Sequence, residues 1–242
     1  MKNNKTVIIT GGGTGIGKGI ALKLAKNNFN IILASRNISN LEKVKEECSK
    51  LNNQNVITVQ TDITDSDSVS NLFEIAKDKF KKLDVLINNA GVFDGGPVDK
   101  LDIETWDKVL NINLRGAFLC LREAMKIMKP QKSGKIINIG SISGQVPRLN
   151  STPYTTSKFA LTGLTKAAAL EAREHNISVS IVHPGNVVTE LRQIRAEDKD
   201  SEPMMNPESI AELVYLSINL PNNVNLLESV MLPLDQLYLG RG

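Results

Sequence analysis

Cysteine and histidine are scarce in this sequence, with two of each among 242 residues. Cys48 and Cys120 lie far apart along the chain, and neither has a second cysteine or a histidine near it at the spacing of metal ligands. A disulfide framework and a structural zinc site are therefore excluded as organising features of the fold. We predict that the protein uses no metal ion.

Long apolar runs and an excess of one charge are missing as well. No stretch approaches the ~18 apolar residues of a membrane span, and the apolar run at 6–10 is too short for a signal peptide. The 29 basic and 26 acidic residues give a net charge of +3 and are scattered along the chain, without a basic stripe interleaved with aromatics. These absences predict a cytoplasmic protein that binds neither membranes nor nucleic acid.

Hydrophobic residues make up 41 % of the chain and charged residues 23 %, as in ordinary globular proteins. Short apolar runs alternate with segments of helical period almost from end to end. We predict strands at residues 6–10, 30–34, 56–60, 84–88, 135–139, 178–182 and 227–232. Near-continuous apolar strands separated by helices indicate a parallel sheet that is covered on both faces. With right-handed crossovers this is a doubly wound, three-layer α/β/α Rossmann fold, and we expect one domain over residues 1–242.

Helices are predicted at residues 16–27, 41–51, 66–80, 105–128, 154–175 and 208–219. Asp65 or Ser66 suits the N-cap of the third helix, and Pro130 is expected to end the fourth. Trp106 and Phe118 on that fourth helix are expected to lie in the core. The polar stretch 195–207 predicts a mobile loop in front of the last helix.

A glycine cluster, Thr-Gly-Gly-Gly-Thr-Gly-Ile-Gly, joins the first strand to the first helix at residues 10–17. In such a turn, backbone N–H groups approach a pyrophosphate closely and the helix N-terminus adds partial positive charge. The spacing, glycine at 11, 15 and 17, differs from the usual G-x-G-x-x-G. The cluster still predicts a dinucleotide site formed by Gly11, Gly13, Thr14, Gly15, Ile16 and Gly17.

A tyrosine and a lysine stand one helical turn apart, at Tyr154 and Lys158. A nearby ammonium favours the phenolate and lowers the pKa of the tyrosine. A phenol tuned in this way donates a proton to a carbonyl oxygen, or accepts one from a hydroxyl, while a hydride moves. The pair predicts acid–base catalysis on a carbonyl or an alcohol.

Two further polar residues are candidates for the same site. Ser141 follows the fifth predicted strand, at the sheet edge where ligands bind in such folds. Asn113 lies in the predicted fourth helix, close to Gly116, and both are poor helix formers, which suggests a local defect. Taken alone, Ser141 is equally well a turn serine. For Asn113, spacing alone favours a solvent-facing asparagine.

The end of the second strand bears on the choice of nicotinamide cofactor. Enzymes that use NAD carry an acid there, which binds the ribose 2′-OH and repels a 2′-phosphate. This chain has Ser35 and Arg36 instead, and a guanidinium makes bidentate contacts with phosphate. We therefore predict that NADP(H) is preferred over NAD(H).

Several motifs and single residues follow one another along the chain at characteristic separations. They are Thr10-Gly-x-x-x-Gly-x-Gly17, Asn88-Asn-Ala-Gly91, Asn113, Ser141, Tyr154-x-x-x-Lys158 and Pro184-Gly185. With these motifs the sequence resembles the short-chain dehydrogenases/reductases, and the resemblance covers nearly the whole chain. It implies a catalytic tetrad of Asn113, Ser141, Tyr154 and Lys158. Tyr154 would be the acid/base, Ser141 would hold the substrate oxygen, and Asn113 would keep its helix open and order a water. Lys158 would bind the nicotinamide ribose and lower the pKa of the tyrosine.

The resemblance also implies cofactor contacts and assembly. Asp62 and Ile63 would border the adenine, and Asn89, Ala90 and Gly91 the adenosine ribose. Pro184, Gly185, Val187 and Thr189 would cradle the nicotinamide, beside Tyr154 and Lys158. Helices 105–128 and 154–175 pair across a two-fold axis in relatives, so we expect a homo-oligomer, a dimer or a tetramer.

Two departures from the family pattern concern specificity. At 232–236 the chain reads Leu-Pro-Leu-Asp-Gln where many relatives have Val-Asp-Gly-Gly, and with 220–225 this is similar to NADP-dependent 3-hydroxy acid and serine dehydrogenases. Gly140 stands where relatives often carry serine, and we expect it to be tolerated. The C-terminal similarity implies a small 3-hydroxy or 3-oxo acid as substrate.

Other interpretations of the function remain open. A 3-oxoacyl-thioester reductase is the alternative substrate assignment, and a catalytically silent nucleotide-sensing module is an alternative of another class. Arg148, Arg192 and Arg195 could meet a substrate carboxylate or stay in solvent. His183, next to Pro184, is expected to be a structural neighbour of the pocket rather than a base.

Overall fold

The computed structural model of the chain describes residues 5–51, 55–189 and 202–238. The strands are β1 (Thr6–Thr10), β2 (Asn30–Ser35), β3 (Val56–Gln60), β4 (Val85–Asn88), β5 (Gly134–Ile139), β6 (Ile177–Pro184) and β7 (Glu228–Met231). They form one parallel sheet in the order β3-β2-β1-β4-β5-β6-β7. The predicted doubly wound parallel sheet is confirmed.

The helices are α1 (Gly15–Lys26), α2 (Ile38–Lys50), α3 (Ser66–Phe80), α4 (Ile103–Leu110), α5 (Ala117–Gln131), α6 (Thr152–Ala172) and α7 (Pro207–Asn219). A π-helical segment, Asn111–Gly116, joins α4 to α5. Short 3₁₀ turns occupy Val98–Lys100, Ile142–Gly144 and Arg173–His175. Within the described ranges, no helix combines the length and the apolar character that a membrane span requires.

The core lies in two layers, one on each face of the sheet. Along β1, Val7 and Ile9 pack with α1, α2 and α7, whereas Ile8 packs with α3, α5 and α6. Successive side chains of a strand point to opposite faces, so a strand that is covered on both faces must be apolar at every position. This explains why the strands of the sequence are continuous rather than alternating apolar runs.

The predicted fourth helix, 105–128, is wrong as a single α-helix, but the local defect predicted near Asn113 and Gly116 is confirmed. It is interrupted at Asn111–Gly116 because the Asn113 side chain bonds to the main chain of Val92. Gly116 also packs closely against Ile63, and a Cβ on Gly116 would lie 2.7 Å from a side-chain carbon of Ile63. Such one-turn π segments are found where side chains insert or function requires them.

Smaller differences concern the same helix and its surroundings. Pro130 lies inside α5, which ends one residue later at Gln131. Phe118 is 44 % exposed, so its predicted place in the core is wrong, while Trp106 is half-buried. The predicted N-cap Asp65 is confirmed, because its side chain accepts from the N–H of Asp67. Of the predicted mobile loop, residues 195–201 lie outside the described residues.

All seven strands point their carboxyl ends to one edge of the sheet. The glycine turn follows β1, Asn89–Gly91 follow β4, Ser141 follows β5, and Gly185 follows β6. Ligands of open α/β sheets bind at this edge. The topology thus gathers the sequence-predicted site residues from distant parts of the chain.

Candidate active site

The turn after β1 has a backbone that needs glycine. Gly11 has φ +64° and Gly15 has φ +51°, the left-handed region that glycine adopts without strain. The Gly11 N–H donates to the Ala34 oxygen at 2.8 Å. A Cβ on Gly17 would lie 2.3 Å from the Gly11 oxygen, so α1 packs against the turn only with glycine there.

The N-terminus of α1 points into this turn. Thr14 is the N-cap residue and makes no side-chain capping hydrogen bond, and the first turn of α1 holds no acid. The N-terminal N–H groups of a helix carry partial positive charge and suit a phosphate. Gly13, Gly15 and Ile16 belong to the same segment, which is so tightly packed that a Cβ at Gly11 or Gly17 would clash with Asn89 and the main chain.

A cavity of about 150 Å³ continues from the glycine turn along the carboxyl ends of β2, β3 and β4. Seven of the predicted cofactor residues line it: Gly11, Ser35, Arg36, Asp62, Ile63, Ala90 and Gly91. Sequence reasoning missed four others that line it, Ala34, Thr61, Val92 and Ile112. Each of these stands next to a predicted site residue in the sequence, which is the only signal that pointed to them.

Asp62 and Arg36 lie at one end of this cavity. Oδ1 of Asp62 accepts from the N–H and the hydroxyl of Thr64, at 2.9 and 2.7 Å. The hydrogen bond from the Thr64 N–H is the largest cause that holds the pKa of Asp62 below its usual range. The bond from the Thr64 hydroxyl and the charge of Arg36 act in the same direction. Ser35 donates its hydroxyl hydrogen to the Asn37 oxygen at 3.2 Å, and no acid stands at the end of β2.

A second cavity, of about 300 Å³, adjoins the first through Arg36 and Ile112, which line both. Lys108 and Arg115 also line it. Lys108 pairs with Asp94 at 3.2 Å, and Arg115 donates to the Thr64 oxygen. Because Lys108 is already paired with Asp94, the positive charge that favours an anionic ligand at this end of the cleft comes from Arg36 and Arg115.

Asn89 supports the glycine turn from the side of β4. Its Nδ2 donates to the Thr10 and Gly11 oxygens at 3.0 and 3.1 Å. The Thr10 hydroxyl in turn accepts from the N–H groups of Asn89 and Ala90. The side chain of Asn89 is thus engaged by the main chain of the turn, and it fixes the distance between β1 and β4 at the cleft.

Tyr154 and Lys158 both lie in α6, and the Lys158 ammonium is 5.6 Å from the centre of the Tyr154 ring. Lys158 is 5 % exposed, and its Nζ donates to the Ile139 oxygen at the end of β5, 2.9 Å away. Burial lowers the pKa of Lys158 from its ordinary 10.5 to about 8, because a charged group loses its hydration there. The structure therefore holds a poorly hydrated ammonium beside the phenol.

Asn113 is buried in the π-helical segment. Its Oδ1 accepts from the Val92 N–H at 2.8 Å, and its Nδ2 donates to the Val92 oxygen and the Ser157 hydroxyl at 2.9 and 3.1 Å. A Cβ on Gly91 would lie 3.2 Å from Asn113 Oδ1 and 3.8 Å from Lys158 Nζ. Asn113 and Lys158 are thus brought to the same place, on either side of Gly91.

Ser141 begins the 3₁₀ turn that follows β5. Its Oγ accepts from the Ser143 N–H at 3.1 Å, so the hydroxyl hydrogen is left for another acceptor. The ring of Phe93, which sequence reasoning missed, lies edge-on against that of Tyr154 with centroids 4.8 Å apart. Nothing in the spacing of the sequence indicates Phe93, because the loop after β4 meets α6 only in the fold.

The residues predicted for the nicotinamide follow β6. The Gly185 N–H donates to the Met231 oxygen, and the Asn186 N–H donates to Gln236 Oε1, both at 2.8 Å. Val187 forms a bridge with Met205, and Thr189 is half-buried. Contacts from the C-terminal part of the chain therefore fix the segment that begins at Pro184.

Of the three arginines considered for a substrate carboxylate, Arg192 and Arg195 lie outside the described residues. Arg148 lies 3.6 Å from the Glu202 carboxylate. The same Glu202 accepts from Asn186 Nδ2 at 2.7 Å. The charge of Arg148 is therefore already balanced by an acid that also bonds to Asn186.

Burial of Lys158 generates a stability prediction. At pH 7 the lysine is charged in both states, and the folded protein carries the penalty of burying it. We expect Lys158→Met to raise the free energy of unfolding of the cofactor-free protein at pH 7 by roughly 1–3 kcal/mol. Lys158 has its ordinary pKa of 10.5 in the unfolded chain and a pKa of about 8 in the folded protein. The free energy of unfolding of the parent therefore rises between these two pH values, and the stability difference between the parent and Lys158→Met becomes smaller.

Urea unfolding at pH 7 and at pH 9.5 measures this difference, with Lys43→Met, an exposed lysine in α2, as the matched control. Lys43→Met should change little at either pH. A Lys158→Met variant that is less stable than the parent at pH 7 would contradict the buried-charge description.

Comparison with known proteins gives the family. The sequence matches the short chain dehydrogenase family over residues 5–200. An uncharacterized oxidoreductase of Staphylococcus aureus strain MW2 is 31 % identical over 230 residues, which cover 95 % of this chain and 97 % of that protein.

Two solved structures are similar over nearly their whole length. A variant of actinorhodin polyketide ketoreductase with NADPH has a TM-score of 0.90 at 25 % identity, covering 98 % of this chain and 99 % of that one. ElxO with NADP bound has a TM-score of 0.86 at 31 % identity, covering 96 % and 97 %. Because the family and such relatives match most of the sequence, the chain belongs to the short-chain dehydrogenases/reductases and is an NAD(P)-dependent oxidoreductase.

Proposed function

We propose that this oxidoreductase interconverts a secondary alcohol and a ketone, with NADP(H) as its preferred cofactor and Asn113, Ser141, Tyr154 and Lys158 as its catalytic group. The observation that carries the proposal is the buried ammonium of Lys158, 5.6 Å from the Tyr154 ring and anchored on the Ile139 oxygen. A protein that only binds a nucleotide could use this lysine at the ribose, but it has no need of a phenol beside the ammonium.

The residues present fit a dinucleotide. The glycine turn, whose Gly11 lines the cavity of about 150 Å³, would hold the pyrophosphate together with the N-terminus of α1. Ser35 and Arg36 would hold the 2′-phosphate, and Asp62 and Ile63 the adenine. The remaining contacts we assign are Asn89, Ala90 and Gly91 at the adenosine ribose, Lys158 at the nicotinamide ribose, and Pro184, Gly185, Val187 and Thr189 at the nicotinamide ring.

When bound, the nicotinamide supplies or accepts the hydride. The chain itself handles the proton and the orientation of the substrate. The Tyr154 hydroxyl donates its proton to the carbonyl oxygen, and the neighbouring Lys158 charge stabilises the phenolate that results. The Ser141 hydroxyl, whose oxygen is occupied by the Ser143 N–H, donates its hydrogen to the same substrate oxygen.

Asn113 acts on the shape of the site. By bonding to both the N–H and the oxygen of Val92, it holds the loop after β4 against the π-helical segment. The same loop carries Phe93, whose ring covers one side of Tyr154. An apolar ring there restricts the access of water to the phenol, and this preserves the effect of the lysine charge.

The nature of the substrate is a finer proposal. The C-terminal similarity favours a small 3-hydroxy or 3-oxo acid. The pairing of Arg148 with Glu202 favours a second candidate, a 3-oxoacyl thioester, because a neutral substrate leaves that ion pair intact. The solved polyketide ketoreductase is similar over nearly the whole chain, which also supports the second candidate.

A panel of ketones tests both candidates and the alternative of another class. Oxidation of NADPH is followed with 3-oxo acids, 3-oxoacyl thioesters, diketones, quinones and sugars. Turnover of a 3-oxo acid or its thioester supports the proposal, and turnover of bulky neutral ketones or sugars alone contradicts both substrate assignments. A nucleotide-sensing module would bind NADPH and oxidise it with none of them.

The acid–base role of Tyr154 gives a direct prediction. We expect Tyr154→Phe to lower kcat by about 10²–10⁴-fold, the usual contribution of a general acid, with little change in NADPH binding. Steady-state rates with the fastest ketone and fluorescence titration with NADPH measure the two quantities. Tyr215→Phe, a tyrosine of α7 whose ring packs on Phe29 far from this edge, is the control. Parent-like turnover by Tyr154→Phe would exclude the proposed chemistry.

The preference for NADP(H) rests on Arg36, with Lys108 and Arg115 on the same cavity. We expect Arg36→Ala to weaken NADPH binding by about 1.5–3 kcal/mol, the value of a hydrogen bond to a charged group, and to leave NADH binding nearly unchanged. Ser35→Asp should shift the preference towards NADH, since it adds a ribose partner and repels the phosphate. A parent that uses both cofactors equally well, or prefers NADH, would refute this assignment.

We also infer that the chain forms a homo-oligomer through α5 and α6. Phe118 on α5 and Phe159 and Leu170 on α6 are 44, 45 and 66 % exposed. A Cβ on Gly163, between them on α6, would meet no atom within 4 Å. An apolar face with a small residue at its centre suits an isologous contact with a second copy.

Sedimentation velocity at micromolar concentration tests the assembly. We expect a dimer or a tetramer for the parent and a smaller species for Phe159→Glu, while Val98→Glu, at an exposed valine in the turn Val98–Lys100, leaves the species unchanged. A monomeric parent would rule this out. The cytoplasmic location stays a prediction from the sequence.

A further inference from the structure

His183 is a buried histidine that the proposed reaction does not use. It lies in β6 next to Pro184 and has no solvent exposure. Its Nδ1 is 2.8 Å from the main-chain oxygen of Ser141. Because a carbonyl oxygen only accepts hydrogen bonds, Nδ1 carries the hydrogen and donates it. The imidazole thus bonds to the main chain of the serine that is assigned to the substrate oxygen.

Gly140 leaves room for this imidazole. A Cβ on Gly140 would lie 2.7 Å from His183 Nδ1 and 3.1 Å from Cε1, both too close for nonbonded atoms. The Gly140 N–H donates to the Val182 oxygen at 2.7 Å, so the two strands cannot move apart at this point without losing a ladder bond. Glycine at 140 and histidine at 183 therefore fit as a pair.

The other ring nitrogen of His183 faces a carboxylate. Nε2 is buried without a hydrogen bond and lies 3.2 Å from Glu228 Oε1 on β7. Burial lowers the pKa of His183, and the charge of Lys158 on α6 lowers it further. The hydrogen bond to Ser141 and the charge of Glu228 act in the opposite direction. Since Nδ1 keeps its hydrogen in either state, protonation of the ring adds a hydrogen at Nε2, beside the carboxylate.

Glu228 is in turn held by two side chains. Gln145 Nε2 donates to Oε1 at 2.8 Å, and Lys166 Nζ pairs with Oε2 at 2.9 Å. The Tyr238 hydroxyl donates to Gln145 Oε1. Gln145 directly follows the 3₁₀ turn that Ser141 begins. The C-terminal segment, residues 220–238, is thus connected to both sides of that turn. Tyr238 bonds to Gln145 after the turn, and Glu228 faces His183, which bonds to Ser141 at its start.

We propose that His183 is a positioning residue for Ser141, and that Glu228, Gln145 and Tyr238 connect this histidine to the C-terminal segment. The inference rests on the proposed function for one point, that Ser141 binds the substrate oxygen. Movement of the Ser141 main chain would move its Oγ and weaken the bond from the Ser143 N–H. His183 therefore acts on the reaction through Ser141.

The first test needs no substrate. Labelling the histidines with ¹⁵N gives two imidazoles to observe, because the chain contains only His175 and His183, and His175→Gln assigns them. We expect His183 Nδ1 to carry a slowly exchanging hydrogen, and Glu228→Gln to shift the Nε2 resonance while Nδ1 keeps its hydrogen. A His183 whose Nδ1 carries no hydrogen overturns the proposal.

The second test follows hydrogen exchange at the Ser143 amide. His183→Leu should speed exchange about ten-fold, the effect of losing one buried hydrogen bond, and His183→Asn should restore most of the protection, because its Nδ2 takes the place of Nδ1. The control is Ser180→Ala. Ser180 lies on β6, the strand of His183, and its buried hydroxyl donates to the Ile136 oxygen on β5. Unchanged exchange in His183→Leu overturns the proposal.

If His183→Leu does not fold, His183→Asn is compared with His183→Gln. A glutamine amide reaches the position of Nε2 rather than that of Nδ1, so Ser143 should be protected in the asparagine variant only. Equal protection in the two variants overturns the proposal.

The third test is kinetic and uses the ketone of the panel that the parent reduces fastest. His183→Leu should lower kcat about ten-fold, again as for one lost hydrogen bond, with KM for NADPH unchanged. In a Ser141→Ala background the same substitution should have little further effect. Equal losses in the two backgrounds overturn the proposal. A parent that turns over no ketone, with exchange as expected, contradicts the proposed function alone.

Discussion

The buried ammonium of Lys158 is the group on which the site depends. A charge with 5 % exposure is unfavourable unless the surrounding fold holds it, and here the Ile139 oxygen at the end of β5 is its recorded hydrogen-bond partner. That partner exists because β5 lies inside the sheet, between β4 and β6, and its carboxyl end faces α6. Asn113 and Gly91 complete the surroundings of the ammonium, and both are fixed by the interruption between α4 and α5. A change in any of these elements alters the electrostatics at Tyr154.

The same edge of the sheet serves two chemical tasks with different requirements. The glycine turn after β1 must let a ligand approach the backbone, which explains the left-handed Gly11 and Gly15 and the close contact at Gly17. The other half, around Ser141 and Pro184, must hold polar atoms at fixed positions, and it does so with hydrogen bonds from segments that are distant in sequence. Gln236 and Tyr238 belong to this second half. Gln236 holds the main chain of Asn186, and Tyr238 holds Gln145.

Much of the fold could be predicted from the sequence. The strands follow from short apolar runs and lie within one or two residues of the predicted ends. The tetrad stays a prediction, and it rests on motifs that are specific only in combination. The poor helix propensity of Asn113 and Gly116 indicated a local defect, but helical period did not show the break, because its cause is a contact with Val92 in another loop. Phe118 was placed in the core for the same reason, since period alone does not say which apolar face of α5 is covered. The role of Gly140 became clear only with His183 beside it, because Gln145, His183, Glu228 and Tyr238 share no spacing along the chain.

The central claim is that this chain moves a hydride from a nicotinamide to a carbonyl carbon while its own tyrosine supplies the proton. NADPH that is doubly deuterated at C4 of the nicotinamide, incubated with the protein and its fastest ketone, tests this claim most directly. Hydride transfer predicts one deuterium on the carbinol carbon of the alcohol, and none when the reaction instead contains unlabelled NADPH in D₂O. Consumption of labelled NADPH that leaves no deuterium on that carbon would contradict the claim.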